Sequence, residues 1–325
     1  MKAIIYEKYG PPEVLHLKEV EKPTPKDNEV LIKIHTTSVT IGDVIVRRGK
    51  HPTSKFQTIM LHLMLGLRTP KRKILGMELA GEVDAIGKDV QLFKKGDNVF
   101  ASTEFKFGAY AEYKCLPEDG IIALKPDNLG FEEAAGGFAS GGVTAWTVLR
   151  KANIQNGQKV LIYGASGSVG TFAVQLAKYL GAEVTGVDST MKLDTLRSIG
   201  IDRVIDYTQE NFADSGEKYD VILDVVGKRP FSDFKKSLKK DGLLLFANPK
   251  VSYLIRGKLS RIRVKAGTSR QKTEDLLYLR ELIETGKLRS VIDKAYPLDQ
   301  VVEAHKYVET GQKKGHVVIS IESEK

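Results

Sequence analysis

A short apolar run, Lys159-Val-Leu-Ile-Tyr163, leads directly into Gly164-Ala165-Ser166-Gly167-Ser168-Val169-Gly170, and Val169–Leu180 then carries Val, Phe, Val, Leu, Ala and Leu at helical spacing. This junction constrains the fold more than any other part of the chain. Such a run is typical of a strand buried on both faces, inside a parallel sheet covered by helices. Between strand and helix, residues without side chains let a ligand's pyrophosphate approach the backbone, and its charge sits on the N–H groups of the helix start. The glycines read GxxGxxG rather than GxGxxG, and Ala165 takes the place of the first glycine of the usual pattern. Because the strand before and the helix after are both present, the turn is predicted to bind a dinucleotide, with a structural glycine turn as the alternative.

The same alternation continues downstream. Glu183–Asp188, Arg203–Tyr207, Asp220–Val226 and Leu243–Ala247 read as further strands, with a helical stretch at Leu193–Ile199. Repeated strand–helix–strand order implies a doubly wound parallel sheet. Asp188 ends the strand about 20 residues after the turn, where a carboxylate can accept bonds from the adenosine ribose and favour NADH. Ser189, Thr190 and Lys192 follow at once and suit a 2′-phosphate, as in NADPH. Tyr207 closes the next strand, where it can flank the adenine. Residues 1 to about 125 are instead strand-rich, with short β-branched runs such as Val30–His35 and Ala80–Ile86 separated by Gly, Pro, Asn and Asp. A polar helix at Thr273–Thr285 and a strand at His316–Ile321 complete the chain.

Length and composition agree with this division. A chain of 325 residues rarely folds around one core. It has 42% hydrophobic and 28% charged residues, an ordinary globular mix. The one cysteine, Cys115, can form neither an internal disulfide nor a cysteine-rich zinc site. With no secretory signal and no run long enough to span a bilayer, a cytoplasmic protein without integral membrane association is expected. The charge of +9 is read as solvated faces with a few cofactor contacts; nucleic acid is not expected, because no recognition motif accompanies it.

Together with the glycine turn, Gly76-Met77-Glu78-Leu-Ala-Gly81, Gly108-Ala-Tyr110-Ala-Glu112-Tyr113 and Ser140-Gly-Gly-Val-Thr144-Ala-Trp146 carry a family resemblance. In this order they resemble the medium-chain dehydrogenase/reductase superfamily, specifically its quinone oxidoreductase branch, from Met1 to about Ile321. The resemblance implies an α/β protein: a GroES-like β-rich catalytic domain (1–125, completed by 267–325) and a Rossmann domain (126–266), with the cofactor expected between them. It implies NADPH or NADH as cofactor and a homodimer. Matched positions add Thr144, Val225, Val226, Gly227, Phe246, Ala247, Asn248 and Lys314 to the cofactor contacts, beside Gly164 to Gly170, Asp188, Ser189, Lys192 and Tyr207. Zinc-dependent members of the superfamily hold their metal with Cys, His and Cys. Here Thr40, Met77 and Ser140 stand at those positions, a set that zinc does not favour, so no zinc is expected.

Without a metal, the resemblance implies a small apolar electrophile that accepts hydride by itself, a quinone or an α,β-unsaturated carbonyl. Metal-free reduction of an aldehyde or ketone, and a non-enzymatic NAD(P)H-sensing or RNA-binding protein, are the alternatives. Thr40 stands where relatives carry an asparagine that contacts nicotinamide or substrate. His51 falls where enoyl reductases place a tyrosine that helps protonate product, and it also fits an ordinary loop histidine. The apolar, helix-prone stretch within His51–Leu75, followed by Arg68, Lys71, Arg72 and Lys73, suits three roles: a lid over an apolar pocket, a helix packed on its domain, or shallow docking on an anionic membrane.

Overall fold

The computed structural model describes residues 1–52, 55–247, 251–267 and 271–321. Asn248 lies outside the described residues. The chain divides into two compact units, Met1–Ser140 with Ser290–Lys325, and Gly141–Arg289.

Among the described residues, the first unit is built on a seven-stranded sheet. From one edge its order is Ile292–Pro297, His316–Ser320, Glu29–Ser38, Glu78–Ile86, Asn98–Ser102 and Ile122–Leu124, and Tyr113–Pro117 also pairs with Glu29–Ser38. The pairings are antiparallel except for Ile292–Pro297 against His316–Ser320. Alternation explains the central strand: Val30, Ile32 and Ile34 point into one core with Leu79, Val83, Val99 and Leu116. A second core lies under the helices Ile41–Arg48 and Val301–Glu309, where Val44, Leu75, Phe107, Tyr110, Ala304 and Val308 meet. Within it the buried guanidinium of Arg47 pairs with Glu309 at the end of the second helix. Residues 126–140 join this unit: the short helix Phe131–Ala134 packs on Glu29–Ser38 and Glu78–Ile86.

The second unit holds a six-stranded sheet in the order Arg203–Asp206, Glu183–Asp188, Lys159–Tyr163, Tyr219–Asp224, Leu238–Phe246, Arg263–Ala266, parallel throughout. In chain order this is 3-2-1-4-5-6, the Rossmann arrangement, and the order reverses between Lys159–Tyr163 and Tyr219–Asp224. Leu161, Ile162, Ile222, Leu223, Leu244 and Leu245 are fully buried, which is why these strands read as unbroken apolar runs rather than as alternations. Phe234 from the helix Phe231–Ser237 stacks on Phe212 at 5.8 Å and meets the edge of Phe246 at 6.1 Å. The helix Val143–Leu149 packs on Ser168–Tyr179 and on Thr273–Glu284, where Trp146 stacks on Tyr278 at 4.4 Å and Arg150 pairs with the buried Asp275. Among the described residues, no helix is long and apolar enough to cross a membrane.

Phe234 is fully buried among these rings. Phe234→Ala should lower the unfolding free energy by about 3–5 kcal/mol through lost transfer energy and a residual cavity. Urea denaturation of the two proteins measures this difference; a loss under about 1 kcal/mol would mean that the neighbouring rings close the gap.

Candidate active site

In the second unit, the carboxyl ends of the parallel strands bring most of the sequence-predicted cofactor residues to one edge. Gly164 follows Tyr163, Ser189 follows Asp188, Tyr207 follows Asp206, Val225 follows Asp224 and Ala247 follows Phe246. Open sheets of this kind bind ligands in the crevice where the strand order reverses. There the Val225 N–H donates to the Tyr163 carbonyl at 3.0 Å, so the glycine turn and the Val225–Gly227 loop lie side by side. Asp224 shapes that loop by accepting from the N–H groups of Val226 and Gly227 at 3.0 and 2.8 Å.

The helix Ser168–Tyr179 starts immediately after this turn, with Gly167 as its N-cap and no side-chain cap. Two glycines have distinct reasons to be there. A Cβ on Gly170 would lie 2.2 Å from the Gly164 carbonyl oxygen, so only glycine lets the helix sit this close to the turn. A Cβ on Gly167 would meet nothing in the chain nearer than 3.6 Å, so the protein's own packing does not demand glycine. Glycine there keeps open the space above the helix start, where the first-turn N–H groups have no intrahelical acceptor. That open cradle fits a dinucleotide pyrophosphate.

Asp188 is more committed than the sequence reading anticipates. Its Oδ2 accepts from the Ser166 N–H at 3.0 Å and the Ser166 hydroxyl at 2.5 Å. Its Oδ1 accepts from the Ser189 N–H at 2.9 Å and lies 3.6 Å from the Lys192 ammonium. A carboxylate has about four lone-pair sites, and three of them are taken by these hydrogen bonds. Asp188 therefore pins the glycine turn to the next strand and holds Lys192 at the rim. Tyr207 is partly exposed beside Tyr163, with ring centroids 6.3 Å apart. Thr144, on the helix Val143–Leu149, accepts from the Gln271 amide at 3.4 Å.

Thr40, His51 and Lys314 belong to the first unit. Thr40 caps the helix Ile41–Arg48: its hydroxyl accepts from the Asp43 N–H at 3.1 Å and donates to Asp43 Oδ2 at 2.7 Å. The fully buried Asp43 also accepts from the N–H groups of Thr40 and Gly76 at 3.0 and 2.9 Å. Burial pushes its pKa up to about 6. Beyond it, the Tyr110 hydroxyl reaches Asp43 and lies 3.1 Å from His305 Nε2, whose ring burial keeps neutral, with a pKa of about 3. Met77 places its sulfur 3.6 Å from the Thr40 hydroxyl. Next to it, the buried Glu78 accepts from Ser38 at 3.3 Å and from Ser140, while its Oε2 has no protein partner; burial first, and then the charge of Asp43, push its pKa up to about 7. The structure thus gathers Thr40, Met77, Ser140 and Glu78 into one nest whose lining is hydroxyl, thioether and carboxyl. His51 stands elsewhere on the chain, its N–H donating to Thr58 at 2.9 Å, and burial lowers its pKa. The Lys314 N–H donates to Asp293 at 2.9 Å.

Asp43, Tyr110 and His305 escape the sequence reading as site residues. The signal for Asp43 was present: Thr-x-x-Asp is a helix-capping spacing. Nothing local announces His305, which lies 195 residues from Tyr110.

Two family models match: an alcohol dehydrogenase GroES-like domain over residues 26–127 and a zinc-binding dehydrogenase over residues 199–319. A 2-methylene-furan-3-one reductase from Solanum lycopersicum is 34% identical, covering 98% of this chain and 79% of the relative. The chain belongs to the medium-chain dehydrogenase/reductase superfamily, in its quinone oxidoreductase branch. Among solved structures, the quinone oxidoreductase from Coxiella burnetii superposes with a TM-score of 0.88 at 31% identity, covering 99% of both chains. The Escherichia coli quinone oxidoreductase complexed with NADPH superposes with a TM-score of 0.82 at 26% identity, covering 99% of this chain and all of the other. The first unit is the superfamily's GroES-like domain and the second its Rossmann domain.

Glu78 makes stability pH-dependent. Its folded pKa is raised from 4.5 to about 7, so the native state holds this proton to higher pH than the unfolded chain does. The stability it contributes is present in full below about pH 4.5 and is lost as pH rises through about 7. Glu78→Gln removes that loss. The variant should gain roughly 3 kcal/mol relative to the parent between pH 4.5 and 8. Denaturation curves of both proteins at those two pH values test this; a pH-independent difference would show that the carboxyl does not titrate in this range.

Proposed function

We propose that this protein is a zinc-independent NAD(P)H-dependent reductase that transfers hydride to a quinone or an α,β-unsaturated carbonyl. The observation that carries the reading is the open glycine cradle at the Rossmann switch point, in a chain of the quinone oxidoreductase branch. The relatives support the substrate class: one is named for an enone, 2-methylene-furan-3-one, and others for quinones. A bound nicotinamide dinucleotide supplies the hydride. Gly164 to Gly170 hold its pyrophosphate, the Val225–Gly227 loop borders the crevice, and Lys192 and Tyr207 meet its adenosine end. The first unit offers the nest of Thr40, Met77, Glu78 and Ser140, whose hydroxyls and buried carboxyl suit a proton source better than a Lewis acid.

Thr40 and Asp43 set the protonation chemistry on that side. With Asp43 ionised, the Thr40 proton is committed to Oδ2, and Thr40 can only accept from a ligand. With Asp43 protonated, the carboxyl can donate instead, which releases the Thr40 hydroxyl to donate. Proton delivery through Thr40 therefore weakens as pH rises through about 6. Burial lowers the His51 pKa, so it carries its extra proton at lower pH than an exposed histidine. A homodimer in the cytoplasm is the assembly and setting that fit this reading.

Steady-state oxidation of NADPH and NADH with a panel of quinones, enones and aldehydes tests the proposal. Turnover of quinones or enones is expected. Turnover of aldehydes alone would make the protein a metal-free carbonyl reductase, and saturable cofactor binding without any turnover would make it a sensor.

The hydroxyls and thioether at the superfamily's zinc positions are weak ligands for that ion. Purified protein should contain no stoichiometric zinc and keep its activity on chelation; one zinc per chain by elemental analysis would overturn this.

Asp188 bears on cofactor choice. Its charge opposes a 2′-phosphate while it neutralises Lys192 at 3.6 Å. Asp188→Ser should raise the ratio of NADPH to NADH affinity by about tenfold, close to 1.4 kcal/mol. Because the Ser166 anchor is lost too, NADH affinity itself should fall. Fluorescence titration of both cofactors reads the two effects; an unchanged ratio would mean that Asp188 and Lys192 do not face the adenosine end.

A further inference from the structure

The net charge of +9 is unevenly distributed. Residues 44–77 contain no Asp or Glu and eight Lys or Arg, and residues 242–273 again contain no acid and eight bases. Without those sixteen bases the chain has 34 Lys and Arg against all 41 of its acids, a net charge of −7. The whole positive excess lies in two segments, one in each unit.

Each segment also carries a helix that turns apolar side chains to solvent. On Lys55–Leu65, and just past it, Phe56, Ile59, Met60, Leu63, Met64 and Leu67 repeat every three to four residues and are 41–70% exposed. The opposite face anchors the helix: Leu65 is buried, Leu61 packs on the core, and the Tyr9 hydroxyl donates to the Gly66 carbonyl at 2.8 Å. Exposed Arg68, Lys71, Arg72 and Lys73 follow the stripe. On Val251–Leu259, Tyr253 is buried while Leu254, Ile255 and Leu259 are 40%, 56% and 80% exposed, and Arg256, Lys258, Arg261 and Arg263 surround them.

We propose that each of these two helices binds the surface of an anionic lipid bilayer, laying its apolar face into the headgroup–acyl boundary while its flanking bases meet lipid phosphates. With 11 and 9 residues, both are far too short to cross a bilayer. An apolar stripe bordered by bases, on a stretch of chain without acids, is the composition of a helix that lies in a membrane interface. A second copy of the chain is a poorer occupant, because a two-fold contact sets the same patch against itself and brings like charges together. A lid over the chain's own substrate would use the apolar stripe but gives no reason for the missing acids. Docking does not depend on the reductase reading. Its consequence for substrate does: quinones or enones dissolved in the bilayer become accessible, long-tailed ones above all.

Flotation of the purified protein with phosphatidylglycerol–phosphatidylcholine vesicles, and with phosphatidylcholine vesicles alone, tests the docking without any substrate. Binding to the anionic vesicles only is expected, falling about tenfold or more as salt is raised past the screening of surface charge. Ile59→Ser with Leu63→Ser, Leu259→Ser, and Arg72→Glu with Lys73→Glu should each lower vesicle binding about tenfold. Melting temperature and turnover of a short, water-soluble quinone should stay unchanged, since these side chains are exposed. Failure to bind anionic vesicles at low salt would overturn the proposal. So would apolar variants that keep vesicle binding but lose turnover of the soluble quinone, which would make the stripe a lid. Variants that turn a dimer into a monomer while vesicle binding persists would assign the face to a second copy and overturn it too. Absence of turnover with every quinone and enone would instead remove the reductase reading and leave the vesicle result standing.

Discussion

At Gly170 the first turn of a helix rests against the carbonyl of Gly164, where a single added carbon would lie 2.2 Å from that oxygen. The rest of the Rossmann unit is arranged around this approach. It sets the end of the central strand directly beneath the helix start, so the helix dipole and the first-turn N–H groups converge where the strand order reverses. Val225 then fastens to the Tyr163 carbonyl on one side, and Asp188 fastens to Ser166 on the other. A nucleotide site made this way is largely backbone. On the proposed reading, its recognition of phosphate would survive changes in neighbouring side chains, and selectivity between two dinucleotides would fall to a few rim groups such as Lys192.

The GroES-like unit works by a different constraint. Two carboxyls, Asp43 and Glu78, are fully buried with hydroxyl and amide partners and, among the described residues, no cation in hydrogen bond with either. Desolvation without a compensating charge raises a carboxyl pKa, and here it brings both groups to within reach of neutral pH. Ser140 spends its hydroxyl proton on Glu78 and Thr40 spends its own on Asp43, so two of the places that zinc-dependent relatives give to metal ligands here stabilise a carboxyl. A nest of that kind can hold or release a proton without a metal, which is what reduction of a quinone or an enone requires of the protein once hydride has been delivered.

The parts legible in the sequence share a physical cause: they are local. The buried strand Lys159–Tyr163, its turn and the helix after it announce themselves because the periodicity changes within a dozen residues and glycine marks the change. The family motifs place Thr40, Met77, Glu78 and Ser140, although they are far apart in the chain. Partnerships are harder to read. That Asp188 bonds Ser166 and Ser189 and pairs with Lys192 depends on how two strands align, and the link between Tyr110 and His305 depends on a helix near the far end of the chain. The helices Ile41–Arg48, Val251–Leu259 and Val301–Glu309 were not expected either; each is nine residues or shorter and takes its stability from packing rather than from a strong repeat.

The charge pattern lies less in the bases than in the acids that are missing around them. Clusters such as Lys71-Arg72-Lys73 look ordinary on a surface where acids normally lie nearby and neutralise them. With no acid in residues 44–77 or 242–273, counter-charge has to come from other parts of the chain, as Glu309 supplies it for Arg47 and Arg48, and the field of the remaining bases is less cancelled. Exposed leucine or methionine is equally unremarkable one residue at a time. Six such residues on one face, beside exposed bases, present a surface that water solvates poorly at its centre and anions attract at its edge. Selection for folding alone gives no reason to keep acids out of two segments in two separate units. A shared requirement imposed from outside the chain does, and a negatively charged apolar phase meets both halves of it.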